Sequence, residues 1–147
     1  MHKLLSSALL FLILVIPCSV FSHEGEDHSQ DESDTNSSPQ LEGGNGWQLV
    51  RSLEMGTSGK FVHMVLIDHS VYTDKTIYSA AINRLCRSTD EFCRIRFWSQ
   101  ERFIPETVAL TVEQNKQLRA DYLVNKTAGI HHLRWSCSVD PDKSHCF

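Results

Sequence analysis

The chain of 147 residues lacks the motifs that identify most enzymes. It contains no G-x-S-x-G nucleophile elbow, no H-E-x-x-H zinc motif, no P-loop and no glycine-rich dinucleotide motif. It also contains no internal repeat. These absences favour a protein that binds over one that catalyses, because no motif in the sequence supports an enzymatic function.

Beyond residue 22 the chain lacks a transmembrane-length run, which would need about 20 predominantly apolar residues. Its first 22 residues have the order of an export signal instead. A short basic start precedes an apolar run, Leu4–Val20, and a small-x-small sequence ends at Ser22. We therefore predict a signal peptide over residues 1–22, cleavage between Ser22 and His23, and a mature protein that is secreted or periplasmic.

Residues 23–46 lack lysine and arginine altogether, whereas they hold seven acidic residues. Leu41 is almost their only apolar side chain, and the segment ends in the glycine-rich sequence 43–46. A segment of this composition buries too little surface to offset its chain entropy. We predict a disordered acidic leader over 23–46 and one folded domain over 47–147, which has a net charge of +2 (13 Lys and Arg, 11 Asp and Glu).

The predicted mature chain has four cysteines, an even number that is typical of two disulfides in an exported domain. We expect the pairs Cys86–Cys93 and Cys137–Cys146, because each encloses a short turn-rich segment. Each bond would contribute about 2–3 kcal/mol in the chain-entropy model. The alternative is a zinc site completed by a histidine from the set His131, His132 and His145. The cysteine spacings are wider than those of zinc knuckles, which favours disulfides.

Hydrophobic periodicity divides residues 47–147 into six predicted elements. They are strands at 48–55 and 60–67, a helix from 73 or 74 to 86, a strand at 93–98, a helix from 111 to before 129, and a strand at 131–137. The second helix rests on a capping box, Thr111 with Gln114, and on an apolar side formed by Val112, Leu118 and Tyr122. The order β-β-α-β-α-β predicts a small α+β domain, a two-layer sandwich with a mixed sheet.

A basic surface is the first candidate site. Arg94 and Arg96 share one face of the predicted third strand with Trp98, while Arg134 lies on the last strand. If these strands are neighbours, the guanidinium groups could hold a carboxylate or a phosphate. We therefore predict a binding or interaction module whose partner is an anionic ligand, a protein or the chain's own acidic leader. The alternative is a solvated face, and nucleic acid is not expected because the domain is only slightly basic.

The leader suggests a second function of a different class. Cleavage would make His23 the first residue, and a free amine beside a histidine ring can chelate copper. In this one residue the chain resembles the exported copper proteins that contain a histidine brace. His28 adds a second imidazole, so a copper- or zinc-handling protein is the alternative prediction. Asn36 and Asn125 begin N-x-S/T sequences, which matter only if the source is eukaryotic.

A third possibility is a small exported enzyme. Asp68 and His69 follow the second predicted strand, and His131 and His132 begin the last one. If those strands were antiparallel neighbours, Asp68, His69 and His132 or His131 would form an acid–base or metal-binding cluster. Parallel strands, which the helical crossovers favour, would separate them.

Overall fold

The computed structural model describes residues 42–147, which form an α+β domain around a six-stranded mixed sheet. The predicted signal peptide, the cleavage site and residues 23–41 of the predicted leader lie outside the described residues. The elements are β1 (Gly43–Gly44), β2 (Trp47–Glu54), β3 (Phe61–Ile67), α1 (Lys75–Leu85), β4 (Phe92–Trp98), α2 (Val112–Lys116), β5 (Leu118–Asn125) and β6 (Ile130–Trp135). Short 3-10 helices cover Glu101–Phe103 and Lys126–Ala128.

The predicted α+β class, mixed sheet and disulfide pairs are confirmed, whereas the second helix is much shorter than predicted. Its capping box forms, because the Thr111 and Gln114 side chains each bond the other's main-chain N–H. The helix nevertheless ends at Lys116, and the following residues form β5. Leu118 and Tyr122 are four residues apart, a spacing that favours one side of a helix. In β5 they lie on opposite faces instead, because a register shift falls between Leu118, which packs beside Trp98, and Tyr122, which packs on the α1 side. The element order therefore becomes β-β-β-α-β-α-β-β.

The strands lie in chain order across the sheet, β1 to β6. Within residues 42–147 only β3 and β4 are parallel, joined through α1, and every other neighbouring pair is antiparallel. We expected the helical crossovers to make further strands parallel. The segment 99–117 instead returns the chain beside β4, so that β5 runs back along it.

The sheet begins inside the predicted leader. Gly43 and Gly44 form β1, which pairs with the start of β2. Between them Gly46 adopts a φ of +76°, a left-handed conformation that glycine tolerates without steric cost. A Cβ at this position would also lie 3.3 Å from Ile77 of α1, so the turn fits closely against the helix.

Different segments cover the two faces of the sheet. On one face, α1 begins at a cap in which Asp74 accepts from the Thr76 N–H, and it buries Tyr78 and Ala81 against strand residues such as Phe97. On the other face, apolar side chains of segment 99–117 pack over a second cluster. That cluster contains Val62, Met64, Trp98, Ile104 and Leu118. The central strands are therefore buried on both sides.

The two disulfides tie down opposite parts of the domain. Cys86–Cys93 joins the end of α1 to β4, and Cys137–Cys146 closes the loop after β6, with Cα–Cα distances of 5.8 and 4.9 Å. Both distances lie in the usual range for disulfides. Two such bonds are typical of proteins that reside in an oxidising, extracellular compartment. Within residues 42–147 no helix combines the length and the apolar character needed to span a bilayer.

Candidate functional site

The predicted basic surface lies on the sheet face opposite α1. Arg94, Arg96 and Trp98 alternate along β4 on this face, as predicted. Trp98, however, is fully buried beneath segment 99–117, and its indole N–H donates to the Gln114 carbonyl at 3.0 Å. Its side chain is therefore part of the core.

Asp121 of β5 occupies the space between the predicted arginines. Its carboxylate accepts two hydrogen bonds from Arg94, at 2.6 and 3.2 Å, and lies 3.7 Å from Arg96 Nε. Arg96 also donates to the Val108 carbonyl at 2.7 Å. Burial, followed by the charge of Arg94, lowers the pKa of Arg96, although a guanidinium stays protonated. These two arginines are thus held within an internal ion-pair cluster.

Arg134 is separated from the other arginines by a whole strand. It lies on β6 opposite Asp121 of β5, and His132 shares its face of the sheet. Its guanidinium is 5.2 Å from the centre of the Phe147 ring, and the residue is exposed. Of the predicted set, only Arg134 presents its charge at an exposed position.

The structure does not bring together the residues of the enzyme hypothesis. Asp68 and His69 follow the carboxyl end of β3, whereas His131 and His132 lie near the amino end of β6. Strands β3 and β6 run in the same direction, with β4 and β5 between them. The carboxyl end of β3 and the amino end of β6 therefore lie at opposite ends of the strands, far from each other. The Asp68 carboxylate is engaged locally by the Ser70 N–H and hydroxyl, and these hydrogen bonds lower its pKa.

The residues of the metal hypothesis, His23 and His28, lie outside the described part of the chain. Within residues 42–147, no group of three or more His, Cys, Asp or Glu side chains is arranged to hold a metal ion. The copper or zinc function therefore stays a prediction about the leader.

Two of the recesses along the sheet are larger than 400 Å³. A cleft of about 440 Å³ at the carboxyl ends of β3 and β4 is bordered by Asp68, His69 and Ser99. The larger recess, about 690 Å³, lies between the end of α1 and strands β5 and β6, and we name it the α1–β6 groove. It is lined by Ile82, Asn83, Cys86, Arg87, Ser88, Asp90, Cys93, Tyr122, Val124, Lys126, Gly129, Ile130 and His131.

The groove exists because one helix cannot cover the whole sheet face. Six strands span about 24 Å, while a helix with its side chains is about 10 Å wide. Helix α1 packs against β1, β2 and the central strands, and its Tyr78 contacts Trp135 at the end of β6. The end of β5 and the start of β6 are left open on that face. Cross-strand pairing then places Tyr122 beside Ile95 and Val124 beside Cys93 as the groove floor.

The groove floor is apolar with one polar edge. The Tyr122 ring stands perpendicular to His131, and its hydroxyl lies 3.5 Å from His131 Nε2. Burial raises the pKa of Tyr122 above its ordinary value, so the hydroxyl is a neutral donor and acceptor. The two cysteines in the wall are joined to each other, so neither is a thiolate nucleophile.

Hydrogen bonds hold the loop 87–91 at one end of the groove. The Asp90 carboxylate accepts from the Arg87 N–H at 2.8 Å, and the Lys126 N–H donates to the Glu91 carbonyl at 2.9 Å. Lys126 Nζ also donates to the Ser88 carbonyl at 2.8 Å. The loop is therefore attached to the end of β5 as well as to the disulfide.

Sequence reasoning missed this groove because it assigned its floor to a helix. A signal was present: Ala120, Tyr122 and Val124 recur at every second position and alternate with Arg119, Asp121 and Asn125, a partial period-2 pattern that favours a strand. The chain matches no protein-family model, no curated protein and no solved structure.

Proposed function

We propose that this protein is a binding module that holds a small ligand with an apolar body in the α1–β6 groove. The observation that carries the proposal is the groove itself, about 690 Å³ in volume. Ligand pockets are commonly about 300–1,000 Å³, mostly apolar, with a few polar groups that orient the ligand. The α1–β6 groove has that size and that distribution of side chains.

The side chains of the groove favour binding over catalysis. Its cysteines are oxidised to a disulfide, and burial moves the pKa of Tyr122 further above its ordinary value, away from that of a base active near neutral pH. Ile82, Val124 and Ile130 supply apolar surface that the domain itself leaves uncovered. A ligand that covers these side chains gains the hydrophobic free energy that α1 does not supply here.

The proposal keeps the predicted class of function and moves the site. The arginine-bearing face is occupied by internal partners, since Asp121 pairs with Arg94 and Arg96 and segment 99–117 buries Trp98. The opposite face contains the larger open volume. We therefore assign ligand binding to the α1 side of the sheet.

Fluorescence titration with N-phenyl-1-naphthylamine, an uncharged apolar probe, tests the proposal. Ile130→Glu places a charge at the groove edge, where the residue is 37% exposed and a change is tolerated by the fold. We expect this variant to weaken probe binding by about tenfold or more, since burial of a charge against an apolar ligand is unfavourable. Val112→Glu, at a position 74% exposed and outside the groove, is the matched control and should bind normally.

Two results would contradict the proposal. One is the absence of binding by the folded protein, and the other is equal binding by the Ile130→Glu and Val112→Glu variants. Circular dichroism of each variant verifies that it is folded. Amide chemical-shift changes on probe addition should also concentrate at Ile82, Val124 and Ile130.

A further inference from the structure

We infer that the ligand of the α1–β6 groove is an amphipathic organic anion, whose negative group is held by Arg87 and Lys126 at the loop end of the groove. The inference rests on the proposed function and adds the chemical class of the ligand. Its basis is the placement of two cationic side chains at the same end of a recess whose floor is apolar.

The Arg87 guanidinium is available for a ligand. Its main chain is fixed, because its N–H donates to Asp90 and its carbonyl accepts from the Asp90 N–H. Among residues 42–147, its side chain has no hydrogen-bond or ion-pair partner, and the residue is exposed. A guanidinium has five donors in a planar fork, which suits a carboxylate, sulfonate or phosphate.

Lys126 is held beside Arg87 by its neighbour in the loop. Its ammonium donates to the Ser88 carbonyl at 2.8 Å, and Ser88 directly follows Arg87 in the chain. Because an ammonium has three donors, two remain for a ligand. The hydrogen bond thus positions the ammonium group at the end of the groove and leaves it able to donate to a ligand.

The charges that line the groove favour an anion. Arg87 and Lys126 contribute two positive charges and Asp90 one negative charge, so the formal sum is +1 with His131 neutral. The Asp90 carboxylate is already accepting the Arg87 N–H, which directs it toward the loop. Glu91, the next acidic residue, lines a different recess with His63. An anion neutralises the groove, whereas a cation would be repelled.

The direction of the groove sets the orientation of the ligand. Lys126 follows the last residue of β5, and the floor runs from there along Val124 to Tyr122. The negative group would therefore contact the loop 87–91, and the apolar body would lie along β5. Small amphipathic anions, such as a medium-chain carboxylate, have this arrangement of charge and apolar surface.

A matched pair of probes isolates the charge. 8-Anilino-1-naphthalenesulfonate is N-phenyl-1-naphthylamine with one added sulfonate, so the difference in their dissociation constants measures the contribution of the negative group. We expect the sulfonate to bind more tightly by about three- to tenfold, the combined effect of two partly exposed ion pairs that each raise the affinity a few-fold. Added salt should weaken the binding of the sulfonate probe, because it screens the ion pairs, and should leave the binding of the neutral probe unchanged.

Variants at the two cations complete the test. Arg87→Gln and Lys126→Gln should each reduce the advantage of the sulfonate over the neutral probe to about two- to threefold, since each variant loses one of the two ion pairs with the ligand. Lys116→Gln and Lys143→Gln remove cations outside the groove and serve as controls. Decanoate, but not decanol at the same concentration, should displace the sulfonate probe at low concentrations.

The outcomes distinguish the two proposals. If neither probe binds, the proposed function fails and this inference fails with it. If the neutral probe binds and responds to Ile130→Glu, while the sulfonate gains nothing or ignores Arg87→Gln, only the inference is overturned. Arg87→Gln is the deciding variant, because the Arg87 side chain makes no contact that holds the loop.

Discussion

The sheet has two regions that differ in how they are covered. In the covered region, comprising β2 to β4 and the start of β5, α1 packs on one face and segment 99–117 on the other, so that Val62, Met64 and Trp98 are fully buried. In the open region, comprising the end of β5 and the start of β6, side chains remain accessible and Ile130 is 37% exposed. Both regions belong to one continuous sheet.

The covered region therefore contributes mainly to the stability of the fold, and the open region mainly to the proposed binding. The covered region buries apolar surface on both sides, which supplies most of the hydrophobic free energy of folding. The open region keeps apolar side chains in contact with solvent, and a bound ligand would complete their burial. A change in the open region should therefore affect binding more than folding, and a change in the covered region should do the reverse.

The same substitution at two positions of β5 should lower the free energy of unfolding strongly in the covered region and only slightly in the open region. Leu118 is 2% exposed in the covered region, whereas Leu123, on the same face, is half-buried in the open region. We expect Leu118→Ala to lower the free energy of unfolding by about 3 kcal/mol, through lost burial and a cavity. Leu123→Ala should cost about 1 kcal/mol, because solvent already reaches this site. Urea denaturation measures both, and equal losses would contradict the comparison.

Removal of each disulfide should have the same effect on stability and different effects on binding, because the two bonds close loops of similar size and only one of them lines the groove. Their sequence separations are 7 and 9, so each double alanine variant should lose about 2.5 kcal/mol in the chain-entropy model. Only Cys86→Ala with Cys93→Ala should also weaken binding of the neutral probe, since these cysteines line the groove. Equal binding by both double variants would argue against the position of the site.

The smallest expected effect concerns His63 in the covered region. Burial lowers its pKa despite the opposing charges of Glu42 and Asp90, so protonation favours the unfolded chain. The contribution of His63 to stability is complete above about pH 6.5, the ordinary histidine pKa, and is lost as the pH falls through its lowered value. Asp68 and Asp74 have lowered pKa values and titrate below this window.

His63→Gln tests this assignment. Glutamine is polar and does not titrate, and the 2.8 Å hydrogen bond between His63 Nδ1 and the Ser52 hydroxyl that it removes is absent from the variant at both pH values. Denaturation at pH 7.5 and pH 5.0 should show a smaller loss of stability in the variant than in the native protein. An identical loss in both would show that other groups cause the pH dependence.

Local patterns in the sequence predicted most elements and both disulfides. The predicted strand 60–67 and helix 74–86 agree with β3 and α1 to within about one residue, because apolar periodicity and the Asp74 cap are read from neighbouring residues. The stretch after Lys116 could not be assigned in this way. Its four-residue apolar spacing, Leu118 and Tyr122, favours a helix, and only the pairing with β4 and β6 makes the segment a strand, in which the two side chains lie on opposite faces.

The candidate site depended on the same missing information. Alternation correctly placed Arg94 and Arg96 on one face, but their partner Asp121 comes from a strand that the sequence had not revealed. Likewise, the groove floor exists only because Tyr122 and Val124 are strand residues that pair with β4.

The sequence by itself determined the class of the domain, its disulfide partners and the caps that begin its helices, because these depend on spacing and on contacts between near neighbours. Only the tertiary structure decided that β5 returns antiparallel to β4, that Asp121 pairs with Arg94 and Arg96, and that α1 leaves the end of β5 and the start of β6 uncovered. These features arise from strand order and from the width of one helix on a wide sheet. They join residues far apart in the chain, and no local pattern encodes them.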